Sequence, residues 1–583
     1  MPIFDYDDNE ALGTVLSVDT ATVVVRVTDA PKLRQLQVNR LAVLQSSRPG
    51  QHLIGVIQKI TRSASSAAPD TQADQDADPM QPLGETNLVR ITLIGTLIDR
   101  RGSRRNIFLR TLETVPEIDA NCFSVEGERL SAFMRVVANV AGDGQKLSLG
   151  HYTIDDSAEA YLNGNKFFQR HATIVGSTGS GKSWTTARIL EQVSELPQAN
   201  AIMFDIHGEY TPLTGDGFQH YRIAGPGDLG GDKTLDDGVI FLPYWLLGYE
   251  ALVSMFVDRS DQNAPNQSML ISRTIIEAKR AVLTDGGHKE ILDNFTVDSP
   301  VPFSLDQVMS RLNHLNTEMV TGSSGKDKQG DFHGKLSRLI ARLDAKRTDR
   351  RLGFLFQPPA ATSEFSWLDD LVAALISGSA DRPEKKGGVK IIDFSEVPSD
   401  VLPLIVSLVA KLVFSVQQWT VPEKRHPMAL VCDEAHLYIP ERSLSDASGD
   451  VSIEIFERIA KEGRKYGLGL VVVSQRPSEV NPTVLSQCNN LVAMRLTNGE
   501  DQSVIRRLLP DSLGSFGDLL PILDTGEALV VGDASLLPSR IRVSEPHSKP
   551  NSGTVEFWDR WSSDLSVGGL QQSVESWRRQ TVR

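Results

Sequence analysis

Residues 176–183 read Gly-Ser-Thr-Gly-Ser-Gly-Lys-Ser, the composition and spacing of a phosphate-binding loop. Gly176, Gly179 and Gly181 free the backbone to curl around an anion. Together with Ser177, Thr178 and Ser180 they point main-chain N–H groups inward. Lys182 would reach the terminal phosphates and the Ser183 hydroxyl would ligate Mg²⁺; Trp184, directly after them, is counted as a nucleotide contact. A second acidic element is needed to complete such a site. Met428-Ala-Leu-Val-Cys-Asp-Glu434 supplies it as an apolar run ending in adjacent carboxylates. Asp433 would hold the Mg²⁺ shell and Glu434 would polarise an attacking water. The chemistry these residues can perform together is ATP hydrolysis, with ATP and Mg²⁺ as the bound groups.

Such residues need elements to aim them. Residues 171–175 (HATIV) predict a short buried strand running into the loop, and residues 183–192 a helix whose N-terminus faces the phosphates. Further strand-like runs fall at 201–205, 389–394, 429–432, 468–473, 491–496 and 528–531, with helical segments between most of them. This alternation predicts an α/β fold: a RecA-like P-loop NTPase core with a parallel sheet over 151–240 and 386–543. Residues 241–385 interrupt it as a helical insertion, with helical periodicity at 243–256, 266–283, 304–313 and 332–346. Val- and Thr-rich runs at 13–27, 36–44, 52–60 and 88–98 predict a small N-terminal β-barrel over 1–150. Residues 63–86, rich in Ala, Asp, Gln and Pro, predict a disordered loop within it. Residues 544–583 form a polar tail with a late helical stretch, expected as a brace.

Bulk properties bound the function. At 583 residues the chain is too long for one core. The longest apolar run, 401–416, contains Pro403 and Lys411 and is expected to be a buried helix. Neither a secretory leader nor a membrane segment is expected, which points to the cytoplasm. Cys122, Cys432 and Cys488 lack metal-ligand spacing. The formal net charge of −14 does not advertise a nucleic-acid binder, so any DNA must be held by a local basic lining. Two basic groups could provide one: Arg100, Arg101, Arg104 and Arg105 in a turn, and Lys335, Arg338, Arg342 and Lys346 along one helix face. Each also reads as a solvated surface.

Two more segments sharpen the picture. Phe204-Asp-Ile-His-Gly-Glu-Tyr210 ends the strand after the loop helix, and Glu462-Gly-Arg-Lys-Tyr-Gly467 precedes a strand that ends in Ser474-Gln-Arg-Pro477. With the loop and the acidic strand, these make a chain that resembles the HerA family of ATPases and helicases, in the FtsK/HerA superfamily. The resemblance implies a homohexameric ring with interfacial ATP sites that translocates double-stranded DNA, and an N-terminal barrel of the HAS type. By motif position, Arg464 would be an arginine finger for a neighbour's site and Gln475 the γ-phosphate sensor. Asp205, His207 and Glu209 would lie near the nucleotide, and Arg170 would touch phosphate or a neighbour. It also implies a separate effector, a nuclease or sirtuin-like NADase docked on the barrel, in DNA end processing or anti-phage defence. Two alternatives stand beside it: an ATP-switched ring scaffold that regulates an effector without processive translocation, and a secretion or conjugation ATPase.

Overall fold

A computed structural model gives the fold and describes residues 3–38, 40–65, 84–99, 106–140, 146–321, 326–377, 388–445, 447–535, 537–553, 555–563 and 568–580. The chain divides into two compact units, Met1–Phe167 with Asn490–Ser544, and Phe168–Asn489 with Glu545–Arg583.

In the first unit, Gly13–Asp19, Thr22–Arg26, Leu41–Gln45, Gln51–Ser65, Gly84–Ile98 and Asn121–Ser124 close into a six-stranded antiparallel barrel. Closure comes from the pairing of Thr22–Arg26 with Gly84–Ile98, and Ile107–Leu109 pairs further along the same edge of the latter, at Thr96–Ile98. Alternation drives it: Val15, Val23, Val25, Leu53, Ile57, Val89 and Ile91 point into one buried core. The expected run 13–27 is a hairpin turning at Thr20, which takes a positive φ of 51°. The expected strand at 36–44 is shorter, because Asp29 caps a helix at Ala30–Gln35 and pairing resumes only at Leu41. Residues 63–65 and 84–86 prolong two paired strands instead of joining the expected loop. Residues 66–83, and Arg100, Arg101, Arg104 and Arg105, lie outside the described residues.

The same unit holds an antiparallel ribbon. Asn490–Met494 pairs with Glu527–Gly532, which pairs with Ser539–Val543, then Leu147–Tyr152, then Asp155–Leu162. The runs at 491–496 and 528–531 were expected in a parallel sheet. Their mutual pairing is antiparallel, an orientation that apolar runs alone do not encode.

The second unit carries an all-parallel sheet in the order Val239–Ile240, Phe218–Ile223, Val389–Asp393, Ala201–Asp205, Met428–Cys432, Leu468–Ser474, Ala172–Val175. Its central strands are buried at every position, which is why they read as continuous apolar runs. The helix Leu402–Trp419 is long and apolar enough to cross a membrane, yet 67% of it is buried within the fold. Pro403 sits in its first turn, where the missing N–H costs nothing. Between the sheet strands lie Tyr249–Phe256, Ala264–Asp285, Leu305–Thr317, Ser337–Thr348 and Trp367–Ile376, the helical insertion.

Three of the four basic residues expected on one face of the insertion stand near carboxylates. Lys335 precedes the helix Ser337–Thr348. Arg338 lies 3.9 Å from Asp261, Arg342 3.6 Å from Asp258 and Lys346 3.6 Å from Asp400.

Phe204 is fully buried in the central sheet and meets Phe394 and Tyr438 edge-on. Phe204→Ala removes that aromatic contact and leaves a cavity, so it should destabilise this unit by about 3–5 kcal/mol. Urea unfolding followed by circular dichroism measures the loss; a midpoint equal to wild type would refute this packing.

Candidate functional site: a P-loop at the sheet edge

Parallel strands in register bring their C-terminal ends to one edge. Val175 is level with Ser474, Cys432 with Val472, Phe204 with Cys432, and Asp205 with Asp393. Gly176, Gln475, the Asp433–Glu434 pair and Asp205 therefore leave the sheet side by side, although they are scattered over 300 residues of chain. In open α/β sheets this is where ligands bind.

The loop runs into the helix Lys182–Ser194. Gly179 and Gly181 have φ of 75° and 105°, which other residues adopt only with strain. The helix N-terminus and its free N–H groups are thus turned toward an anion. Lys182 is 5% exposed, and its Nζ lies 3.0 Å from Glu434 Oε1 and 3.8 Å from Asp433 Oδ1. Gln475 donates from Nε2 to the same Glu434 oxygen and accepts from the Thr178 hydroxyl of the loop. Ser183 Oγ donates to Glu209 Oε2 at 3.0 Å. Asp205 is fully buried and accepts from the N–H groups of Glu209 (3.0 Å) and Tyr210 (2.9 Å), which fixes the turn that presents Glu209.

Electrostatics differentiate the carboxylates. Burial raises the pKa of Asp433, and Glu434, Glu209 and Asp205 add to the rise against the pull of Lys182. Glu434 feels the same burial, but Lys182 and the Gln475 hydrogen bond outweigh it and hold its pKa below the usual glutamate value. Burial also opposes the charge on Lys182, but Asp433 and Glu434 outweigh it and raise its pKa. Burial pushes Asp205 up to about 6, tempered by its two backbone donors.

The donor set fits a magnesium–nucleotide. Asp433 Oδ1 and Glu434 Oε2 are buried and accept no hydrogen bond. Such atoms are costly in a fold unless a cation or water meets them. Ser183 adds a hydroxyl, the loop adds N–H groups and Lys182 a cation. The set can bind a triphosphate, hold a divalent ion and orient a water.

Not every expected residue converges here. Glu209 does, through Ser183, whereas His207 is exposed at the turn. Arg170 and Arg464 lie at the opposite edge. Arg170 precedes the strand whose far end opens the loop. Arg464 occupies the turn Gly463–Tyr466 ahead of Leu468–Ser474, and Gln475 follows that strand. Seven strand residues at about 3.3 Å each separate the two by roughly 20 Å, beyond the reach of an arginine side chain.

Sequence reasoning also missed residues. His436 Nδ1 lies 3.3 Å from Ser474 Oγ and 3.4 Å from Glu434 Oε2. Glu191, buried on the loop helix, accepts from the backbone N–H of His547 (3.0 Å) and Ser548 (2.7 Å). Lys549 lies over the Trp184 ring at 4.8 Å, and Asn551 N–H donates to the Glu209 carbonyl at 2.7 Å. The tail thus straps the loop helix. No local pattern marked it, since Arg188 and Ser194 share the side of the helix that carries Glu191.

A strand, a glycine-rich loop, a helix and an acidic strand end in this geometry define a P-loop NTPase. Residues 147–413 match the family described as "Helicase HerA, central domain". The DNA double-strand break repair helicase HerA of Pyrococcus furiosus is 24% identical, over 71% of this chain and 74% of its own length. Its namesake in Sulfolobus acidocaldarius is 23% identical, over 70% and 71% respectively. The central part of the chain thus resembles the HerA family, and the chain is an ATP-hydrolysing enzyme. Among solved structures, VirB4 of Thermoanaerobacter pseudethanolicus aligns over 69% of this chain and 97% of its own, with 17% identity and a TM-score of 0.45, a likeness too distant to bear on function.

The strap has a direct test. Glu191→Ala leaves the His547 and Ser548 N–H groups without their acceptor. Limited digestion with proteinase K should then cut within residues 547–553 several-fold faster than in wild type, with the far-UV spectrum unchanged. Equal cleavage rates would show that Glu191 does not hold the tail.

Proposed function

We propose that this protein is a ring-forming, DNA-stimulated ATPase motor whose sites are completed between subunits. The observation that carries it is the separation of Arg464 from its own P-loop by the length of a strand. An arginine on that edge does not reach its own pocket, so any nucleotide site it serves belongs to another copy. The homohexamer itself rests on the family resemblance. The relatives' names carry DNA repair and helicase activity, which supports double-stranded DNA as the substrate track. The partner expected from the resemblance, a nuclease or NADase docked on the barrel, would be identified by pull-down and mass spectrometry. Cytoplasmic localisation belongs to the same proposal.

Within the site, Lys182 and the loop N–H groups bind and orient the phosphates, and Arg464 of a neighbour adds positive charge where negative charge develops. Ser183 and Asp433 would hold Mg²⁺, which supplies charge neutralisation between the phosphates. Glu434, held ionised by Lys182 and Gln475, accepts the proton of the attacking water. Gln475 bonds both Glu434 and Thr178, so it can report the state of the loop to the base. Trp184 and Glu209 complete the surround.

Glu434→Gln should keep nucleotide binding and slow turnover by about 10²–10⁴-fold, the usual worth of a general base. Near-normal turnover would remove Glu434 from that role. Arg464→Ala should assemble normally, as light scattering would show, and lose activity. Mixing it with Glu434→Gln chains should restore part of the turnover, because one mixed interface pairs an intact Glu434 with an intact Arg464. No rescue despite subunit exchange would overturn the shared site.

Two observations favour the ring scaffold as a second reading: the net charge is −14 and the insertion's arginines already face aspartates. The motor requires that DNA stimulate turnover without sequence preference, and that stimulation fall between about 50 and 300 mM salt as released counterions are repaid. Turnover indifferent to DNA at low salt would favour the scaffold.

A further inference from the structure

The Arg464 turn is held by a residue that the site chemistry leaves unused. His171 stands between Arg170 and the P-loop strand Ala172–Val175. It is 4% exposed and has a φ of 54°, a conformation in which a non-glycine residue persists only where its surroundings enforce it. Both ring nitrogens are engaged. The backbone N–H of Leu470 donates to Nδ1 at 2.9 Å, so Nδ1 is the acceptor. The proton therefore sits on Nε2, which donates to the carbonyl of Ala460 at 3.1 Å. Burial, with the charge of Arg464 as a further contribution, lowers the ring's pKa, in keeping with the neutral tautomer these partners demand.

The two partners bracket the arginine. Ala460 lies in the last turn of the helix Ala447–Glu462, where intrahelical acceptors run out of donors. Leu470 lies in the strand that leaves the turn. One imidazole thus ties the start of the P-loop strand to both sides of the Gly463–Tyr466 turn.

We propose that His171 is the positioning residue for Arg464: it fixes the arginine turn that each subunit offers to its neighbour to the start of the chain's own P-loop strand. The proposal rests on the shared-site reading. It assigns His171 a role on the neighbour's side of the interface, not in its own pocket.

Subunit mixing separates these sides. The reference mixture is Arg464→Ala chains with Glu434→Gln chains, in which active interfaces take Arg464 from the Glu434→Gln partner. His171→Asn is then added to one parent at a time. Asparagine tolerates the positive φ but is too short to reach both partners. On the Glu434→Gln parent it should lower the rescued turnover about ten-fold or more, as misplacing a transition-state contact does. On the Arg464→Ala parent it should leave the rescue unchanged. Light scattering and nucleotide affinity should match the parents in both mixtures. Equal loss on both parents, loss only on the Arg464→Ala parent, or no loss on either would overturn the proposal. If the asparagine chain fails to fold, His171→Gly, which takes the positive φ freely, replaces it in the same mixtures. Failure of the reference mixture itself would instead remove the shared site, and this proposal with it.

Discussion

One ammonium group balances the carboxylates at the C-terminal edge of the central sheet. Lys182 faces Glu434 and Asp433, with Glu209 and Asp205 close behind, and almost none of this is open to water. Charges in such a place persist only in compensating sets, and stripping one partner from a buried pair costs about 3–5 kcal/mol. The rest of the site follows from that balance. Glu434 stays ionised because it has the nearest share of the lysine and the Gln475 amide. Asp433 carries the unmet demand for positive charge, and that demand suits it to a divalent cation. In this acidic pair, Asp433 Oδ1, 3.8 Å from the lysine, and Glu434 Oε2 are left without donors.

The parallel register turns this local balance into an architecture. Because neighbouring strands of the sheet end near one level, the phosphate loop, the acidic pair and the glutamine are assembled at one edge without long loops. The same register sends the arginine turn to the other edge. A subunit built this way carries most of a hydrolytic site on one side and its missing cation on the other. Two copies placed head to tail complete the chemistry, and repetition of a head-to-tail contact closes into a ring when its rotation allows. The buried imidazole of His171 ties the arginine turn to the start of the P-loop strand at that other edge, and the tail strap is held to the loop helix through Glu191.

Much of this was legible in the residues. The glycine spacing, the lysine, the strand ending in two carboxylates and the change of hydrophobic period after residue 170 specify the P-loop fold class, because each is a contiguous pattern with a local cause. The barrel was legible as short Val-rich runs, though a capped helix at Ala30–Gln35 and a turn at Thr20 displaced their limits. The strands at Asn490–Met494 and Glu527–Gly532 were found, but not their antiparallel sense, since a buried apolar run looks the same in either direction.

What the sequence determined by itself was chemistry carried by neighbours in the chain: the loop that binds phosphate, the acids that accompany it, and the turn that holds an arginine. What only the tertiary structure decided was distance. It put Arg464 and Gln475, eleven positions apart, at opposite ends of one extended strand. It brought His171 to Ala460 and Leu470, and it paired the insertion's arginines with Asp258 and Asp261. The physical reason is that a strand's length and a sheet's order fix which side chains can touch. Sheet order is settled by packing among residues hundreds of positions apart, and no local pattern records it.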